Sequence, residues 1–350
     1  NKTVNLENHV LIGKTKDELE SFAVELGEKP FRGRQLFDWL YRQKVYNVNQ
    51  MTDLPSLFRA LVNTNSIIHP LKKISQIKSE TQKTHKFLFQ RLDGKQIESV
   101  IINKGDRTTV CLSTQVGCSL DCKFCATAKI KRMRNLNADE IYDQVVLIHQ
   151  QSIEHFQRPL TNIVFMGMGE PLMNYNNVLS SIGKITSKSG LGMSPKRIVV
   201  STSGIPKMIK KIADQGVKFK LAVSLHSAID EKRTSIMPFN DKMNLIELEE
   251  ALKYWYDKTK KIITYEYVVW KDINDRDEDI AALVKLCKRI PSKVNLIQYN
   301  SIDDPGFVQA SDDVIAKYVK TLDSNKIKAT IRKSRGQDID AACGQLANKS

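Results

Sequence analysis

Three cysteines at C-x3-C-x2-C spacing are the residues of this chain best suited to chemistry: Cys118, Cys122 and Cys125, in the run Cys118-Ser-Leu-Asp-Cys122-Lys-Phe-Cys125. A cubane iron–sulfur cluster wants four ligands, so three neighbouring thiolates leave one iron with an open position for a substrate or cofactor. An open iron points to catalysis rather than electron storage. The competing reading is structural zinc, which closes with four ligands, usually in two C-x2-C pairs. No second C-x2-C pair is present, and no His lies within twenty residues on either side of the triplet.

The elements that must position this triplet alternate between strand and helix. From Thr108 onward, apolar strand-like runs end near Ser113, Met166, Ser201, Ser224, Trp270 and Tyr299, with helix-like segments of crossover length between them. A last strand-like run covers 328–332. Such alternation predicts a parallel sheet, open and doubly wound or curled into a barrel, with chemistry gathered at the carboxyl ends of the strands. The first strand leads into the cysteine loop, the second into Met166-Gly-Met-Gly-Glu170-Pro171, and the third into Ser201-Thr-Ser-Gly204. The fourth ends in Ser224-Leu225-His226 and the sixth in Tyr299-Asn300. Glycine lets backbone approach a ligand closely, and Glu170 can pair with an ammonium group. Singly, Gly169-Glu170 reads equally well as a helix-start turn, Ser201 as a helix cap, and His226 as an ordinary rim histidine. Their shared rim raises all of them.

Upstream, residues 1–80 read as a small helical module. Thr15-x-x-Glu18 is a capping box, Leu19, Phe22, Ala23 and Leu26 follow at helical spacing, and Gly27 sits at the C′ position. A second helix is predicted over 33–44, with Leu36, Phe37, Leu40 and Tyr41 on one side and Arg32, Arg34, Arg42 and Lys44 around it. Residues 81–106 predict a hairpin, in which runs 86–91 and 96–102 join through Asp93-Gly94. The βα core then occupies 107–335 and a tail 336–350.

The 350 residues carry a net charge of +15, which attracts a polyanion, nucleic acid first among them. Lys129, Lys131, Arg132 and Arg134, just beyond the triplet, are placed for phosphate contact, although a solvated loop accounts for them equally. No apolar stretch approaches the ~18 residues of a membrane span, and the polar start Asn1-Lys2-Thr3 has no signal-peptide core. Six cysteines in a chain this long do not form a secreted disulfide framework. These features predict a cytoplasmic protein with reduced thiols and no membrane partner.

The triplet with aromatic Phe124, followed by Gly169-Glu170-Pro171, resembles the radical S-adenosylmethionine superfamily. Within it, Gln115-Val-Gly-Cys118, Met166 to Pro171, Ser201-Thr-Ser-Gly204 and the tail Asp338-Ile-Asp-Ala-Ala-Cys343-Gly-Gln-Leu346 are similar to the RlmN/Cfr adenosine methyltransferases, over residues 10–346. The resemblance implies an α/β fold: a partial (βα)6 radical SAM barrel with a small N-terminal helical RNA-docking domain and a β-hairpin extension. It implies a 4Fe-4S cluster on Cys118, Cys122 and Cys125, and S-adenosylmethionine, two per turnover, held by Gly169, Glu170, Ser201, Ser224, Leu225, His226 and Asn300, with the adenine near Phe124. An electron donor such as flavodoxin or ferredoxin belongs to the same expectation.

Carbon C2 of adenine is electron-poor and no nucleophile, and family members methylate it through a relay. By resemblance Cys343 carries the methyl group, Cys111 is the partner thiol that attacks Cys343 to form a disulfide and release product, and Glu98 accepts the ring proton. Apart from the family, Cys111 reads as a buried strand cysteine, Cys343 as tail packing and Glu98 as a surface strand residue. Cys287 matches no family motif and is assigned to a helical core with Ile280, Leu283 and Val284. Pro171 and Arg332-Lys-Ser-Arg-Gly336 stand closer to the RlmN side than to the C8-methylating, resistance-conferring Cfr side. That implies C2 methylation of an adenosine in the peptidyl transferase centre of 23S rRNA and of the adenosine 3′ of the anticodon in tRNA, with the base flipped out of its stack. Two rivals stay open: a radical S-adenosylmethionine enzyme of another reaction, and a basic RNA-binding protein that uses metal only as a fold staple.

Overall fold

The computed structural model describes residues 9–81 and 83–348, so the polar start Asn1-Lys2-Thr3 lies outside the described residues. Helix α1 (Lys16–Glu25) begins at the predicted capping box: Glu18 N donates to Thr15 Oγ1 at 3.2 Å and Thr15 N to Glu18 Oε2 at 2.7 Å. It buries Leu19, Phe22 and Ala23, and Gly27 follows it with φ +82°. Helix α2 (Pro30–Phe37) starts on a proline, whose missing N–H is no loss at a first helical position, and runs into a π-helical turn over Asp38–Gln43. The helix predicted over 33–44 is therefore a short α-helix begun earlier and closed by a wider turn. The two helices cross closely because Gly33 has no side chain, since a Cβ there would meet Leu19 O at 2.3 Å. Helix α3 (Ser56–Asn65) completes the module on Phe58 and Val62.

The module is helical only as far as residue 65, which corrects its predicted extent to residue 80. Strand β1 (Leu71–Lys78) pairs antiparallel with β2 (Thr84–Arg91), β2 with β3 (Gln96–Lys104), and β3 with β4 (Arg107–Cys111). A bulge between Lys73 and Ser75 interrupts β1, and Leu71 is its one fully buried residue, so no alternating pattern announces it. The hairpin between β2 and β3 turns at Gly94, φ +80°, as predicted.

Beyond Cys111 the chain runs β5 (Gln115–Val116), α4 (Ala126–Lys129), β6 (Arg134–Asn135), α5 (Ala138–Phe156), β7 (Asn162–Phe165), α6 (Tyr175–Thr186), β8 (Ile198–Thr202) and α7 (Pro206–Asp214). It continues through β9 (Lys220–Ser224), α8 (Asp230–Ile236), α9 (Leu245–Thr259), β10 (Ile263–Val268), α10 (Asp277–Arg289), β11 (Ser292–Ile297), α11 (Asp312–Ser324) and β12 (Ala329–Arg332). The main sheet is ordered β1-β2-β3-β4-β7-β8-β9-β10-β11-β12, with every pair from β4 onward parallel. That is the predicted series of βα units with its closing strand. Strands β1 and β12 are the two edges, so the barrel is partial. Sequence-adjacent parallel strands lie side by side, which delivers all their C-terminal loops to one rim. No helix among the described residues is long and apolar enough to cross a membrane.

Candidate active site

The rim surrounds a cleft of about 1080 Å³ lined by Cys118, Cys122, Cys125, Gly169, Glu170, Ser201, Ser224, His226, Asn300 and Cys343. All but one of the residues expected to hold a cluster or cofactor thus share one space. The exception is Leu225, fully buried behind the wall, where its N–H donates to Glu266 O at 3.0 Å and its carbonyl accepts from Arg233 Nε at 3.2 Å.

The cysteine loop is held by short-range backbone bonds. Small strands β5 and β6 pair Gln115 with Asn135, Cys118 N donates to Ile130 O at 3.1 Å, and Arg132 N donates to Cys118 O at 3.0 Å. Gly117 makes this possible at φ +76°, because a Cβ would sit 2.5 Å from Lys131 O. Burial pushes the Cys118 thiol up to about 12 and raises Cys122 and Cys125 as well, so free thiolates are disfavoured there. A bound cationic metal centre reverses that preference and deprotonates coordinating thiols outright. Among the described residues no three His, Cys, Asp or Glu side chains could hold one metal ion together. A cubane asks for something else, one thiolate on each of three irons, and the donor set fits that group.

Glu170 forms the opposite wall. Its Oε1 accepts from Leu172 N at 3.0 Å and Thr202 Oγ1 at 2.7 Å, and its Oε2 from Ser203 N at 2.8 Å. The Ser203 side chain also hydrogen-bonds the carboxylate, so a ligand ammonium would take the place of that rotatable hydroxyl. Burial raises the pKa of Glu170 against these hydrogen bonds. Gly169, φ +97°, packs on Gln115, whose Oε1 accepts from both Glu170 N at 3.0 Å and Ser119 N at 3.2 Å and so couples the two loops. His226 Nδ1 accepts from Val268 N at 3.1 Å, which places the ring proton on Nε2. Burial, with Arg233 nearby, pushes its pKa down to about 3, so the ring is neutral. Phe124 meets His226 edge-on at 4.8 Å and lies 5.0 Å from Trp270, forming an aromatic wall.

The tail crosses the rim. Asn300 Nδ2 donates to Cys343 O at 3.1 Å, Ala126 N to Gly344 O at 2.7 Å, and Thr127 Oγ1 to Leu346 O at 2.6 Å. Asn300, expected at the cofactor, therefore also grips the tail. Cys343 is exposed and lines a second cleft as well, again of about 1080 Å³, which it shares with Cys111. Burial, reinforced by Cys343 and opposed by Arg332, pushes the Cys111 thiol up to about 12. Glu98, on β3, lines neither cleft. It is fully buried, pairs with Lys86 Nζ at 3.1 Å, and accepts the tail amides of Ala347 at 2.9 Å and Asn348 at 3.1 Å on Oε2.

Residues 112–284 match the family model of the Radical SAM superfamily, and residues 9–68 match that of the ribosomal RNA large subunit methyltransferase N-terminal domain. A Christiangramia forsetii protein described as a probable dual-specificity RNA methyltransferase RlmN is 56% identical over 336 residues, covering 96% of this chain and 95% of that one. The chain belongs to the RlmN family. A Flavobacterium psychrophilum protein of the same description is 56% identical and covers 99% of both chains. The crystal structure of a radical SAM methyltransferase from Sphaerobacter thermophilus superposes with a TM-score of 0.93 at 38% identity, covering 97% of this chain and 100% of that one.

In this RlmN-family chain several supporting residues escape sequence reasoning. Arg233 is fully buried and donates to the carbonyls of Leu225, Ser203 and Ser224, tying together the ends of β8 and β9. Arginine usually lies at the surface, so nothing in its residue type marks this role. Trp270 lacks a motif of its own. The basic loop also departs from expectation. Arg134 is paired with Glu140 at 3.1 Å and Asp93 at 3.4 Å, and Lys129 with Asp304 at 3.6 Å. Arg134 is thereby a structural partner, whereas Lys129 keeps an exposed ammonium in a surface pair, and Lys131 and Arg132 are exposed with no ion pair among the described residues. Cys287 is buried in α10, as assigned.

Proposed function

We propose that this chain methylates C2 of an adenosine in 23S rRNA and in tRNA, through a cysteine relay. The observation that carries the reading is the position of Cys343, which lines both clefts and meets Cys111 in the second. A carrier must face a donor on one side and an acceptor on the other. When bound, a 4Fe-4S cluster and S-adenosylmethionine, two per turnover, supply the methyl group and the radical chemistry. The chain's own residues do the rest.

Cys118, Cys122 and Cys125 hold the cluster, and Gly169, Glu170, Ser201, Ser224, His226 and Asn300 line the place for the cofactor. Leu225 supports that place from behind, its N–H and carbonyl tying Glu266 and Arg233 into the wall. Cys343 Sγ takes the methyl group as a nucleophile. Cys111 Sγ, as thiolate, later attacks Cys343 Sγ: the S–S bond forms as the bond from Cys343 Sγ to the ring-borne carbon breaks, that carbon takes the electron pair and a proton to become the methyl group, and two electrons from the donor return the disulfide to thiols. Glu98 takes the ring proton on a carboxylate oxygen, which requires the amides of Ala347 and Asn348 to withdraw from it. A flavodoxin or ferredoxin supplies electrons in the cytoplasm. The helical part docks RNA, the hairpin of 81–106 presents Glu98, the core of 107–335 holds the cofactors, and the tail of 336–350 carries the methyl group.

The relatives described as dual-specificity RNA methyltransferases support both the RNA substrate and its two classes. Mass spectrometry of nucleosides from treated RNA tests the reading. The expected product is 2-methyladenosine, whereas 8-methyladenosine assigns the Cfr-like chemistry and no modified adenosine overturns the proposal. Cys343→Ala is expected to abolish product while cofactor cleavage persists.

A further inference from the structure

The second cleft has a lining that thiol chemistry alone does not require: Lys104, Arg107, Arg332, Lys333 and Arg335, with no carboxylate among its residues. Lys104 and Arg107 face each other across the β3–β4 turn, where they are register partners. Lys333 and Arg335 follow β12 directly. Lys104, Arg107 and Lys333 are exposed and Arg335 is half-buried. Among the described residues none of these four forms an ion pair, whereas Arg158 takes nearby Asp106 at 3.8 Å and Arg332 takes Glu266 at 3.6 Å. Unpaired cations around one hollow repel one another, and an anion relieves that repulsion.

Apart from Thr109, Ser334 and the two thiols the rest of the lining is apolar, including Val100, Ile102, Val164, Ala342 and Leu346. A largely apolar hollow lined by two pairs of cations and by two thiols suits a planar ring carrying a phosphate on either side. A nucleotide within a single-stranded stretch of RNA has that shape and charge. We propose that the second cleft seats the target nucleotide, its flanking phosphates divided between the Lys104–Arg107 pair and the Lys333–Arg335 pair. This rests on the RNA methyltransferase reading and adds which residues position the RNA. It moves phosphate binding away from the basic loop after the triplet, where Lys129 and Arg134 have carboxylate partners.

Fluorescence anisotropy with an RNA stem-loop that presents an unpaired adenosine tests it, using the full chain across a salt series. Lys104→Gln with Arg107→Gln, and separately Lys333→Gln with Arg335→Gln, are each expected to weaken binding about tenfold. Each double variant is also expected to reduce the slope of log K against log salt by about 1.4, the value for two single-strand phosphate contacts. The site control, Lys131→Gln with Arg132→Gln, removes the exposed cations of the rival basic loop, which form no ion pair among the described residues, and is expected to leave both unchanged. Circular dichroism and the thermal midpoint check that the variants fold. If the wild-type chain methylates and binds RNA while both cleft doubles bind like it, the cleft assignment falls and the function stands. If the control weakens binding in their place, RNA docks on the cluster-loop face and the assignment falls as well. A wild-type chain that neither binds nor modifies RNA overturns both.

Discussion

The molecule carries reactive cysteines in two regions that are built in opposite ways. The triplet loop is fixed largely by bonds between near neighbours in sequence, such as Cys118 N to Ile130 O and Cys125 N to Cys122 O, with Lys123 N to Ile236 O and Phe239 N to Asp121 Oδ1 as ties to α8 and the turn after it, and Cys122 is buried. The tail around Cys343 is held by single bonds from distant segments: from Asn300, Ala126 and Thr127, and to Glu98. Cys343 itself is exposed. A loop closed largely on itself, with its long-range ties made to the buried end of a neighbouring helix, holds its geometry as a unit. A strap pinned at scattered points can be lifted one pin at a time, which suits a residue that must face two clefts in turn.

Breaking the fixed half has the largest expected effect. Cys122→Ser is expected to abolish methylated product and iron binding, as read by iron and sulfide analysis of anaerobically purified protein. Gly117→Ala tests the loop rather than the ligand. A Cβ there would lie 2.5 Å from Lys131 O and 2.6 Å from Ile130 O, at a φ of +76°, so the loop must open. The expected cost is about 3 kcal/mol of stability, with a marked drop in iron content. Retention of full iron by this variant would show that the loop is not the rigid element described.

Loosening the strap comes next. Glu98→Ala leaves Lys86 buried without its partner and removes the acceptor for the amides of Ala347 and Asn348. The expected loss is about 3 kcal/mol, and limited proteolysis is expected to cut within 336–348 before anywhere else. Thr127→Val removes the hydroxyl's bond to Leu346 O together with its contact to the Cys125 sulfur, and about 1 kcal/mol is expected to go with the former. The two cysteines of the second cleft add a pH test. Because the Cys111 thiol is pushed up to about 12, its thiolate fraction rises about tenfold per pH unit between pH 7 and 9. Single-turnover product release is expected to speed up with pH over that range, and Cys111→Ala is expected to stall with RNA bound to the tail.

The two halves were not equally legible from the sequence. The triplet, the strand ends and the capping box each show within a few residues, where spacing reports geometry directly. Strand β1 did not, because its bulge and exposure erase the two-residue period. The second helix starts three residues before its predicted start and ends where predicted, but apolar periodicity over 33–44 does not distinguish an α-helix from one continued by a π-turn. Tail contacts were invisible for a different reason: that Glu98 would accept from Ala347 depends on how the sheet curves, which no local pattern encodes. The cations of the second cleft come from the β3–β4 turn and from the end of β12, and only the open barrel brings them together. Arg233 contradicts its own residue type.

Acid separates the two halves most gently. His226 is held neutral at the rim with its pKa pushed down to about 3, and His85 and His149 are pushed down to about 4, all mainly by burial. In the unfolded chain each takes up a proton near pH 6.5. A depressed folded-state pKa means that the unfolded state binds more protons as pH falls, so the stabilisation is full above about pH 6.5 and drains away below it. For His226 alone the loss at pH 5 is about 2 kcal/mol. Protonating Nδ1 also removes the acceptor of Val268 N, a rim bond, while the bond that Ala126 N donates to Gly344 O has no titrating partner. Hydrogen exchange corrected for intrinsic rate is therefore expected to show the Val268 amide losing protection between pH 7 and 5 before the Ala126 amide does. His226→Asn removes the titrating ring and suits the left-handed backbone at φ +58°. It is expected to flatten that part of the stability profile, and an unchanged slope would place the acid sensitivity elsewhere than the rim.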